Sequence, residues 1–179
     1  MTEIPDAAAS ALEAHDAFEA SDDSAAYRLE TTVFDAVVTA TNAEGKRDAR
    51  FSITVTLPTL DEAVDGETVA PVVEDGWYET LERRLEDAFT VAHTSTHEEP
   101  AVERGPREVT VDLEYVAWNA TEGVEDAKAL IEFVEGTFAQ GIIPGYDYRG
   151  PAATLLESAQ QNAEGATDEG PGEGGGMPM

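Results

Sequence analysis

Two histidines four residues apart, His93 and His97, form the one spacing in this chain that suggests metal chemistry. On a helix that spacing puts both imidazoles on one face, and Glu98 or Glu99 would supply an oxygen ligand beside them. A catalytic zinc would want a third defined ligand, and often a general base nearby. The pair instead follows an amphipathic stretch, in a Thr- and Ser-rich segment where a helix C-terminus favours histidine without any metal. The structural reading is therefore preferred, and no metal or other cofactor is expected. His15, beside Asp16, reads as a partly exposed structural histidine.

Other catalytic signatures are missing from the sequence. No Gly-x-Ser-x-Gly elbow surrounds any serine. Neither lysine follows a phosphate-binding glycine loop, and no Gly-x-Gly-x-x-Gly follows a strand. There is no cysteine, which excludes thiol nucleophiles, disulfides and iron–sulfur clusters. Paired carboxylates cannot be singled out among 38 acidic residues.

One segment has the composition of a binding loop. Gly141 to Pro151 holds three glycines, two prolines, two tyrosines and an Asp/Arg pair. Such loops combine defined backbone geometry with aromatic and hydrogen-bonding side chains. Ile143, Tyr146, Asp147, Tyr148 and Arg149 are the binding candidates; alternatively, Ile142, Ile143 and the tyrosines cap the core. Trp77, Tyr78 and Trp118 would line a groove nearby.

Charge is the strongest compositional signal. Acidic residues outnumber basic ones 38 to 10, for a net charge of -28, and only Lys46 and Lys128 are lysines. Self-repulsion on this scale destabilises a compact state. At molar salt the Debye length falls to about 3 Å and the repulsion is screened. The acids are spread along the whole chain rather than blocked in one tail, which points to adaptation to a salty cytoplasm. The same charge opposes nucleic-acid binding. The pairs Arg47/Arg50, Arg83/Arg84 and Arg104/Arg107 sit among acids and read as salt-bridge partners. With no basic, apolar leader and no run of 18 apolar residues, the expectation is a cytoplasmic protein with no membrane contact.

The elements that must position these residues follow from periodicity. Pro5 to Phe18 reads as a helix, with Ile4, Ala8 and Leu12 on one stripe. Leu29 to Thr41 is β-branched, Gly45 marks a hairpin, and Phe51 to Leu57 alternates buried and wet positions. Leu60 to Val64 fits one helical turn, and Val69 to Val73 a short edge strand around Pro71. Trp77 to Ala92 is an amphipathic helix. His93 to Arg107 reads as a polar connection, Glu108 to Trp118 as a strand, Val124 to Phe138 as a second long helix, and Pro151 to Ala163 as a last short one. The predicted fold is α+β: a three- or four-stranded antiparallel sheet with two long helices on one face, plus N- and C-terminal helices. A single domain spans 1–163, and 164–179 is too polar and glycine-rich to fold.

The strings Phe34-Asp35-Ala36-Val37-Val38, Val72 to Leu81 and Gly141-Ile142-Ile143-Pro144-Gly145-Tyr146 resemble a haloarchaeal family, domain of unknown function 5813, over roughly residues 5 to 163. That resemblance implies a haloarchaeal cytoplasm and no catalytic residue. The expected function is a small non-catalytic protein-interaction or adaptor protein of a halophilic archaeon, with a protein partner and an open oligomeric state. The alternatives are a metal-dependent enzyme or metal-binding protein using His93 and His97, and an acidic mimic of nucleic acid.

Overall fold

The computed structural model describes residues 4–21 and 26–158. Its centre is a six-stranded, wholly antiparallel sheet: β1 (Phe18–Ala20), β2 (Tyr27–Leu29), β3 (Asp35–Thr41), β4 (Ala49–Pro58), β6 (Ala101–Arg104) and β7 (Glu108–Ala117), in the order β1-β2-β3-β4-β7-β6. Strict alternation in β3 and β4, and in β7 as far as Tyr115, sends one set of side chains into the core. Register aligns the rows: Val38 faces Ile53, which faces Leu113, and Ala36 faces Val55, which faces Val111. Each fully buried Val, Leu or Ile contributes about 1.5–3 kcal/mol.

The helices lie over that buried face. α4 (Ala120–Gln140) starts at Asn119, whose side chain accepts from the Glu122 amide at 2.8 Å, and it packs on β4 and β7. Gly123 lets its first turn settle against the sheet: a Cβ there would collide with the Phe51 ring and lie 2.9 Å from the Ala117 Cβ. Tyr115, fully buried and stacked on Phe51, donates its hydroxyl to the Gly123 carbonyl at 2.6 Å. α1 (Asp6–Ala14) packs against α4 and β1. α3 (Pro71–Leu85) lies on the other side of α4, with Trp77 edge-on to Phe138, and Tyr78 donates to the Val102 carbonyl of β6. The opposite sheet face is open and polar, carrying a Thr54–Asp112 hydrogen bond and an Arg50–Glu114 ion pair.

Several elements differ from the sequence expectation. The sheet has six strands rather than three or four. α1 ends at Ala14, and Phe18 opens β1 instead of closing the helix. The turn is made by His15, whose Nδ1 accepts from the Ala17 amide at 3.1 Å. β1 and β2 are three residues each, too short to show a period. Val69 to Val73 is no strand: Pro71 is the first helical residue of α3, where its missing N–H costs nothing. The first turns of α3 and α2 (Leu60–Ala63) are tied by Glu74, whose carboxylate accepts from the Leu60 and Asp61 amides. α3 stops at Leu85, and Ala88–Val91 tightens into a 3-10 turn. The polar connection after it contains β6, and the Gly141 to Gly150 loop contains β8 (Asp147–Tyr148), which pairs with β5 (Val64–Asp65). The last helix is described over 150–158. Its expected continuation to Ala163 and the expected tail at 164–179 lie outside the described residues.

Candidate functional site

The two histidines of the metal hypothesis are held by different elements. Backbone after the 3-10 turn is not helical, so four-residue spacing no longer implies a shared face. His93 is tied to α4 through Asp126, which is 1% exposed. The Asp126 carboxylate accepts from the His93 amide at 2.7 Å, from His93 Nδ1 at 2.8 Å and from the Thr94 amide at 3.0 Å. The hydrogen bond to Asp126 is the main reason the His93 imidazole is held above its ordinary pKa, although the ring itself is exposed. His97 forms an isolated bridge to Tyr115, stacks on Phe89 with centroids 3.9 Å apart, and donates from Nδ1 to the Glu98 carbonyl. Among the described residues, no group of three or more His, Cys, Asp or Glu side chains could hold a metal ion. Asp126 escaped the sequence reading because acids are everywhere. Its position four residues before Leu130, on the buried face of α4, was the available signal.

The loop candidates come together as a pinned turn. The Tyr148 hydroxyl accepts from the Ile143 amide at 2.8 Å and donates to the Ile143 carbonyl at 2.9 Å. Burial is the main reason the Tyr148 phenol is raised above its ordinary pKa. Arg149 fastens the other end: its amide donates to the Ala63 carbonyl and its Nε to the Glu62 carbonyl, both at 2.9 Å. Gly145, with φ of 101°, supplies a backbone turn that side chains resist. Ile143, Tyr148 and Arg149 therefore anchor the loop. Tyr146, edge-on to Tyr148, is half-buried, and Asp147 is exposed.

Where this loop leaves α4, a cleft of ≈ 270 Å³ opens between α3 and α4. Trp77, Thr80, Leu81, Arg84, Gln140 and Ile143 line it, and no Asp or Glu does. Of the three aromatics expected to share a groove, only Trp77 is here. Tyr78 lies against β6 beneath Arg104, and Trp118 stands 61% exposed beside Arg47. Arg83 and Arg84 make no ion pair among the described residues, unlike Arg50 and Arg104. They sit in the last turn of α3, where the helix dipole favours cations.

Fold and surface together define a small α+β protein with a pinned loop beside a carboxylate-free cleft. The chain belongs to the family of unknown function DUF5813, whose sequence profile matches residues 13–158. No curated protein and no solved structure shows significant similarity to it.

Proposed function

We propose that this chain is a non-catalytic interaction protein that docks a protein partner with the surface of the 141–149 turn. The observation that carries the reading is the double hydrogen bond between Tyr148 and Ile143, reinforced by Arg149 on the backbone of α2. A surface turn fixed at both ends loses little conformational entropy on binding, which is how preorganised recognition segments gain affinity. It presents Tyr146, an aromatic anchor type common at binding hot spots, next to the exposed Asp147. We further propose that the protein works in a salty, haloarchaeal cytoplasm, on the grounds of its net charge of -28 and the scarcity of lysine. No helix among the described residues is long and apolar enough to cross a membrane.

The test is purification of the tagged protein from its native host in molar KCl, with mass spectrometry of co-eluting proteins. A stoichiometric partner that is lost in the Tyr146→Ala, Asp147→Ala double variant supports the reading. A partner retained by that variant, or none at native abundance, counts against it.

A further inference from the structure

The cleft between α3 and α4 departs from the rest of the surface. In a chain with 38 acidic residues, its lining carries none, and its one ionisable side chain is Arg84, free of any ion pair among the described residues. Trp77 adds a second feature. The residue is only 6% exposed, yet its indole N–H makes no hydrogen bond among the described residues. Among the described residues no buried side-chain nitrogen or oxygen is sealed off without a partner, so this N–H keeps some exposed surface, and Trp77 and Gly141, which lies beside its Nε1, both line the cleft. Gly141 keeps it open. Its backbone, at φ -87° and ψ -1°, is a conformation any residue adopts, but an added Cβ would press on Trp77 Nε1 at 3.2 Å. Smallness rather than backbone freedom is what the position requires.

From these observations we infer that the cleft binds a small organic carboxylate with an apolar body. The indole N–H is a donor with no partner among the described residues, beside Gly141 in the cleft lining. Arg84 lies two turns further along the same helix face and lines the same cleft. Together they offer a hydrogen bond and a positive field to one carboxylate. Leu81 and Ile143 offer apolar wall to the hydrocarbon. A singly charged ligand suits one arginine within a protein of net charge -28, whereas a phosphate dianion would need further cations. A volume of ≈ 270 Å³ lies just below the range that holds drug-sized ligands, which favours a small molecule over a peptide segment. The cleft shares Gly141 and Ile143 with the 141–149 turn, but ligand binding in it does not depend on a partner docking at Tyr146 and Asp147.

Proton–nitrogen NMR of the two indole N–H groups tests the site directly, with Trp118→Phe assigning the Trp77 signal. Phenylacetate, titrated at constant KCl, should move that signal downfield and saturably, while 2-phenylethanol should not. Arg84→Gln should weaken the affinity about tenfold, the value of one charge-assisted hydrogen bond. Gly141→Ala should abolish the shift while leaving the remaining spectrum folded. Absence of saturable movement, equal movement with the alcohol, or affinity unchanged in both variants would overturn the inference.

Discussion

Replacing Asp126 by alanine should destabilise the protein more than any other single surface-segment change. The carboxylate is 1% exposed and accepts three hydrogen bonds, two of them from the His93 and Thr94 amides. A hydrogen bond to a charged group contributes about 1.5–3 kcal/mol, and the three are not additive. Removing the carboxylate leaves the His93 and Thr94 amides without their acceptor, at about 1–3 kcal/mol for each donor left unsatisfied, and we adopt about 3–5 kcal/mol for the two together. Against a total stability of about 5–15 kcal/mol this is a large share. For a domain of this size it lowers Tm by roughly 6–20 °C, at 2–4 °C per kcal/mol. Asp126→Asn should lose less, because one oxygen still accepts while the new NH2 faces a donor. His93→Gln should lose far less than either, since the ring is exposed and the backbone amides keep their acceptor. Urea denaturation at fixed KCl, followed by circular dichroism, measures all three. A loss below about 1 kcal/mol for Asp126→Ala would refute the assignment of Asp126 as the clamp between α4 and the 93–96 segment.

Other outcomes follow from the same geometry. Gly123→Ala forces a Cβ against Phe51 and Ala117; overpacking costs about 1–3 kcal/mol and outweighs the roughly 1 kcal/mol that alanine gains in a helix. A raised urea midpoint for that variant would contradict the close approach. His93 holds its proton more tightly folded than at its ordinary 6.5. Its contribution to stability is therefore full below about pH 6.5 and fades as pH rises through the folded value. Stability–pH profiles of the wild type and His93→Gln should draw apart as pH falls through that window and keep a constant gap below it; a gap that does not change with pH would exclude the linkage. Tyr148→Phe should cost about 1 kcal/mol and speed hydrogen exchange at the Ile143 amide, leaving the sheet unchanged. Raising KCl from about 0.1 M to about 1 M shortens the Debye length from ~10 to ~3 Å and should raise Tm; a flat response would remove the salt-adaptation account.

Much of the fold was legible because the long elements bury one face. Phe51, Ile53, Val55 and Leu57 alternate without a break, and Leu130, Ile131, Val134 and Phe138 repeat at helical spacing. What was not legible lay in short or mixed segments. β1, β2 and β6 are three or four residues long, and their pairing comes from neighbours rather than from their own pattern. Pro71 was read as a strand breaker when it is a helix starter, since both roles use its fixed φ. At the loop, composition singled out Ile143, Tyr148 and Arg149 as binding candidates, and the contacts they make within the chain are anchoring ones. The spacing of His93 and His97, set aside as a metal motif in the sequence, gives no shared face because the backbone between them is not helical. Asp126 was masked by the acidic background, and the cleft at Trp77 and Arg84 arises from residues on two helices whose juxtaposition no local pattern encodes.

The most direct measurement of the central claim is site-specific photo-crosslinking in the native host, with a photoreactive phenylalanine analogue at Tyr146 and, separately, at Thr54 on the open sheet face. The account predicts a discrete adduct with one protein from position 146 and none from position 54. An adduct from position 54 alone, or equal and diffuse labelling from both, would contradict the assignment of the 141–149 turn as the recognition surface.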